Sequence, residues 1–231
     1  MAKSKGKKEE SKGNDVNKNI KDFGVNKLPE DAEDERIYVL PIIGQIEGHM
    51  SLPVQSKTTK YEHVIPQLVS IEKSKVVEGI LIILNTIGGD VEAGLAISEM
   101  IRSVSKPTVS LVIGGGHSIG VPLATAADYS YISPSATMIV HPIRMNGMII
   151  GVPQTFDYFN KMQQRIIEFI TRTSNIDEQT FTKLMLQTDV LLNDMGTILI
   201  GKQAVDYGLI DAVGGIAEAL NKLEQLIDKR P

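Results

Sequence analysis

Gly114-Gly115-Gly116-His117-Ser118-Ile119-Gly120 is the most telling segment of the chain. An apolar β-rich run, Thr108–Ile113, leads into it, and the small and apolar residues Val121–Ala127 follow with helical character. It contains G-x-S-x-G, the pattern of a serine on a sharp strand-to-helix turn, where the hydroxyl stands clear of the chain and the next N–H can face a developing oxyanion. A helix N-terminus beyond the serine would favour negative charge there. The same residues would also suit an N-capping serine in a glycine-rich turn.

A weak echo lies upstream. Gly79–Asn85 is a second β-rich run, and Asn85-Thr86-Ile87-Gly88-Gly89-Asp90 hands it to a segment with Ala93, Ile97, Met100 and Val104 on one helical face. Adjacent glycines let the backbone turn tightly and present its N–H groups, for geometry alone or for an oxyanion. Ile37–Ile43 and Thr137–His141 read as further strands. Phe159, Met162, Ile166 and Ile170 mark a long helix, and Ile216, Leu220, Leu223 and Ile227 a C-terminal one. Strand alternating with helix implies an α/β fold with a largely parallel sheet, and in such sheets sites collect where strands hand over to helices.

Composition narrows the function. The 231 residues carry 24 Lys+Arg against 28 Asp+Glu, a net charge of −4, without the clustered basic charge that tracking nucleic-acid phosphates requires. There is no cysteine, so thiolate chemistry, disulfides and Cys-based zinc sites are excluded together. The four histidines are dispersed and no H-E-x-x-H occurs. No apolar run approaches the ~18 residues of a membrane span, and the Lys- and Glu-rich N-terminus is no secretory signal. A cytoplasmic protein is expected. Residues 1–36 hold nine basic and nine acidic side chains with few apolar ones, which predicts a disordered tail. Residues 37–231 are expected to form one domain around one core.

A serine nucleophile needs a base. His49 and His63 precede Ser118, His117 adjoins it and is expected to point elsewhere, and His141 alone follows it, at the end of a strand. The α/β-hydrolase order of Ser, acid, late His fails, because no late histidine exists and the only acid between the two is Asp128. The order left open is Ser, His, acid.

That order, with its motifs, resembles the ClpP-like serine peptidases, the Clp protease proteolytic subunit family. Gly44-Gln45-Ile46-Glu47-Gly48-His49-Met50 resembles an early motif of the family, and Asn85-Thr86-Ile87-Gly88-Gly89 its oxyanion turn, with Ile87 in place of proline. Gly116-His117-Ser118-Ile119-Gly120 resembles its nucleophile turn, with His117 where a small residue is usual. Met138-Ile139-Val140-His141-Pro142 resembles its histidine motif with one residue inserted, and Ala204-Val205-Asp206-Tyr207-Gly208-Leu209-Ile210-Asp211 a late segment. The likeness covers about 37–215, and within the family the chain looks like the translocation-enhancing branch.

The resemblance implies a ClpP/crotonase-like fold of repeated β-β-α units with a protruding helix. It also implies a serine endopeptidase acting on polypeptides, with Ser118 as nucleophile, His141 as base, Gly89 and Ile119 as oxyanion donors, and no metal or cofactor. It implies a homo-oligomeric ring, with the helix containing Phe159–Ile170 at the contact. The charged tail stands where the family has a pore-lining segment, which leaves docking of a Clp-type ATPase open. For the third triad member Asp157 and Asp177 stand at expected helix starts, where capping explains them, and Asp206 and Asp211 match acids of the late segment that are not catalytic. Asp194 is preferred by spacing, with Asp189 the alternative. Rival readings are a crotonase-type acyl-CoA enzyme, a non-catalytic scaffold assisting protein translocation, and a Ser–Lys dyad using Lys161 or Lys202.

Overall fold

The computed structural model describes residues 36–144, 151–189 and 195–230. The tail expected over 1–36, apart from Arg36, and the preferred acid Asp194 lie outside them.

Four parallel strands carry the fold: β1 (Ile37–Glu47), β3 (Gly79–Gly89), β4 (Thr108–Gly116) and β5 (Tyr129–Ile132). Two short strands close the sheet, β2 (Thr58–Lys60) beside β1 and β8 (Ala212–Val213) beside β5, giving the order β2-β1-β3-β4-β5-β8. Two more, β6 (Thr137–Val140) and β7 (Thr197–Ile200), pair antiparallel with each other. This is the mixed α/β architecture of the ClpP-like fold.

The central strand explains why the sequence reads as a continuous apolar run. Side chains alternate across a sheet, so Ile80, Ile82 and Leu84 of β3 enter one core while Leu81 enters another. The larger core takes the buried faces of α1 (Tyr61–Lys73), α2 (Val91–Ser103) and α3 (Gly120–Thr125). It also takes those of α4 (Val152–Thr173) and α5 (Glu178–Met185). The short α6 (Lys202–Asp206) adds Ala204. The smaller core lies under α7 (Ile216–Asp228), whose Ala219, Leu223 and Ile227 pack on Leu81, Val109 and Leu111.

Each expected strand and helix is present, with ends moved by a few residues. One local expectation is corrected. Asp177 does cap a helix, its carboxylate accepting from Thr180 N at 2.9 Å. Asp157 does not, because α4 begins earlier, at Val152-Pro153, with Gly151 at the cap. A proline in the first turn needs no hydrogen-bond acceptor, so the helix starts there without a side-chain cap. Helix α4 is buried through Met162 at its middle and Ile167, Phe169 and Ile170 in its second half, whereas Val152, Phe156 and Tyr158 in its first half are exposed.

Candidate active site

Ser118 has φ of +57°, the only described non-glycine residue with positive φ. Left-handed backbone is costly for a residue with a Cβ, and it persists where surrounding bonds fix it. Here the bonds are on both sides. His117 N donates to Thr86 O at 3.1 Å and Ser118 N to Ile139 O at 2.8 Å; Gly120 N and Val121 N then donate back to His117 O and Ser118 O. Among the described residues, the N–H of Ile119 is the one in that run without a backbone acceptor. It follows the serine, where an oxyanion donor should be.

The two glycine turns are tied together. Asn85 Oδ1 accepts from Gly115 N at 2.9 Å. The Thr86 hydroxyl donates to Gly44 O at 2.6 Å and accepts from Gly88 N at 3.0 Å. Gly88 and Gly89 are required for different reasons. At Gly88 (φ +88°) a Cβ would stand 2.7 Å from Ser118 Cβ, so the serine turn packs on bare backbone. At Gly89 (φ +154°) a Cβ would meet Ile46 O of β1 at 2.2 Å. Asp90 then caps α2 through Ala93 N at 2.8 Å.

Ser118, Ile119, Gly88, Gly89 and His141 line one cavity of about 280 Å³. Its apolar wall is made by Val121, Val140, Ile166, Ile170, Phe181 and Met185. The structure therefore brings together both oxyanion candidates, the serine and the histidine, from three separate stretches of chain.

His141 directly follows β6, and its Nδ1 lies 2.6 Å from Pro142 O. A carbonyl can only accept, so Nδ1 carries the proton and Nε2 of the neutral ring keeps its lone pair. His117 points away from the cavity, as expected: its Nε2 is 2.8 Å from Thr137 Oγ1. Burial, and then the positive charge that His141 takes on when protonated, hold its imidazole below the ordinary range.

The acid expected as a third site residue is not placed by this geometry. Asp189 is exposed, takes a 3.3 Å bond from the Thr188 hydroxyl and does not line the cavity; Asp194 lies outside the described residues. Nor do Lys161 and Lys202 line it, and Lys202 is paired with Asp206.

Sequence reasoning missed Gln45 and Gln163, both in the cavity wall. Gln163 Oε1 accepts a long bond, 3.4 Å, from Ile143 N just past His141. Its place on the inner face of α4, one residue from buried Met162, was the available signal. The roles of Asn85 and Thr86 were missed as well, because a tie between two loops leaves no periodic trace.

The parallel sheet carries two linked glycine turns, and a serine with positive φ shares one cavity with a histidine. The chain belongs to the Clp protease family, whose model matches residues 35–217. It is 56% identical to the translocation-enhancing protein TepA of Halalkalibacterium halodurans, over 96% of this chain and 86% of that protein. It is 24% identical to the ATP-dependent Clp protease proteolytic subunit 1 of Chlamydia muridarum, over 71% of this chain and 83% of that one. The subunit 1 of Chlamydia caviae is also 24% identical, over 83% of this chain and 95% of its own. Among the described residues no helix is long and apolar enough to cross a membrane.

Proposed function

We propose that the protein is a serine endopeptidase that hydrolyses peptide bonds in unfolded polypeptides. The observation that carries this reading is the +57° φ of Ser118, which lines one cavity together with His141. Ser118 Oγ attacks the scissile carbonyl while His141 Nε2 takes its proton, and the carbonyl oxygen, now negative, is met by the N–H groups of Gly89 and Ile119. His141 returns the proton to the leaving amine. Water then enters, gives a proton to His141 and attacks the acyl-enzyme, and the carboxylic acid leaves as Ser118 recovers its proton. Each oxyanion donor contributes about 3 kcal/mol to barrier lowering in such sites. The acid that stabilises the imidazolium is Asp194 before Asp189, taking over the His141 Nδ1–H that the Pro142 carbonyl accepts in this structure. The scheme uses no metal or cofactor.

The charged residues 1–36 form a separate tail on the domain 37–231, and copies of the domain assemble into a ring in the cytoplasm. The test is to incubate the pure protein with an unfolded protein and with short peptides, with and without a Clp-type ATPase, and to identify products by mass. Cleavage that disappears in Ser118→Ala supports the reading; intact substrates under every condition contradict it. The printed name of the 56% identical relative favours a second reading, in which the fold assists protein translocation by binding alone. Binding of an unfolded chain without cleavage would select it. A crotonase-type acyl-CoA enzyme is disfavoured, since such sites use carboxylates and this cavity presents a serine and a histidine.

A further inference from the structure

Strand β6, which delivers His141, pairs along its length with β7 and buries Met138 and Val140, but its backbone tie to the main sheet is small. Strand β6 meets the main sheet at a single backbone pair, Gly115 of β4 with Thr137. One more bond, Ser118 N to Ile139 O, joins it to the serine turn. The His117 ring lies on that junction. Its Nε2 is 2.8 Å from Thr137 Oγ1, and a Cβ on Gly115 would approach Nε2 and Cε1 to 3.2 Å. The His117 ring therefore bonds one partner of the pair and lies over the other while adjoining Ser118.

We propose that His117 is a positioning residue: by binding the Thr137 hydroxyl over Gly115 it staples β6 to the serine turn and so sets the separation of Ser118 and His141. Thr137, Ile139 and His141 are two residues apart, so a shift at the first is carried along β6 to the last. The Ser118 N–H, bonded to Ile139 O midway, moves with it. A misplacement of about 1 Å between reacting groups can cost on the order of 100-fold in rate. Burial first, and then His141, disfavour the charged form of this ring. A small residue at this position could not reach Thr137.

This inference rests on Ser118 being the nucleophile, and its test separates the two. The full chain and the variants His117→Ala, His117→Gln, Thr137→Val and the His117→Ala/Thr137→Val double would be compared in two assays. The first is the rate at which a fluorophosphonate probe labels Ser118. The second is amide hydrogen exchange over residues 137–141. Each single loss, His117→Ala or Thr137→Val, should slow labelling roughly 10- to 100-fold and speed exchange. The double variant should be no worse than either alone, since one bond is removed once. His117→Gln, which keeps a polar group within reach of Thr137, should recover much of the rate. Wild-type labelling in His117→Ala, or losses that multiply in the double variant, would overturn the proposal. If wild type itself is not labelled, the peptidase reading fails and exchange alone decides the staple. Faster exchange in both single variants then supports it, and unchanged exchange refutes it.

Discussion

Gly88 shows how closely the residues of this site depend on one another. Its missing Cβ is the surface on which Ser118 packs, and its φ of +88° suits glycine alone. Gly88→Ala should therefore leave a folded protein destabilised by about 1–2 kcal/mol, with activity on an unfolded substrate reduced well beyond tenfold. Thermal melts and initial rates check this; an alanine variant with normal turnover would mean that the serine turn is not held as described. His141 makes a second prediction. Its Nε2 must be unprotonated to act as base, so activity should rise with pH as the imidazole loses its proton, and His141→Ala should remove both that limb and nearly all turnover. A retained alkaline profile would move the base to a lysine, against the placement of Lys161 and Lys202 away from the cavity. For the acid, Asp194→Asn should lower kcat by orders of magnitude without unfolding the protein, and Asp189→Asn should be mild, in keeping with the exposed position of Asp189. The reverse pattern would assign the triad acid to Asp189.

At the scale of elements, the cavity depends on how α4 sits against α2. Arg165 of α4 clasps Glu92 of α2 with bonds of 2.7 and 3.1 Å, and one heptad further along Arg172 pairs with Glu99. The bond to Arg165, set against some burial, holds the Glu92 carboxyl below the ordinary range. The pair accordingly contributes in full above the pH at which an unfolded glutamate titrates, and its contribution fades as acid protonates Glu92 in the folded chain. Both side chains are about half exposed, so the effect is small, about 0.5 kcal/mol. Glu92→Gln should lower stability slightly at neutral pH and flatten the acid limb of the stability curve, read from denaturant melts between neutral and acid pH. An unchanged acid limb would show that other carboxylates govern it.

The elements also show where reading the sequence succeeds and where it stops. Strands β3 and β4 were legible because both faces are buried, which makes apolar runs such as Gly79–Asn85, and because glycines end them. Strand β2 is three polar residues, Thr58–Lys60, and β8 is two, Ala212–Val213, too short for any period to register. Helix α1 went unread; it carries Pro66 in its interior, a residue that argues against helix locally and is overridden here by the burial of Val64, Leu68 and Ile71. Ser118, His141 and the glycines were legible as motifs. Gln163, and the bonds from Asn85 and Thr86 that join the two turns, exist only once the sheet brings distant segments together.

At the scale of the whole molecule, the proposed tail and the proposed ring are each open to a test of their own. Deleting residues 1–34 should change the melting temperature little, since a charge-dense segment adds little to a core. A drop of many degrees would show that it packs on the domain. The exposed Val152, Phe156 and Tyr158 on the first half of α4 are consistent with a contact between copies in the proposed ring. Phe156→Glu should lower the sedimentation coefficient if that contact exists. The measurement that bears most directly on the account is intact-mass and peptide-mapping analysis after exposure to a fluorophosphonate. One adduct per chain is expected, mapped to Ser118, absent in Ser118→Ala and strongly slowed in His141→Ala. An unlabelled wild-type protein, or an adduct on any other residue, would contradict it.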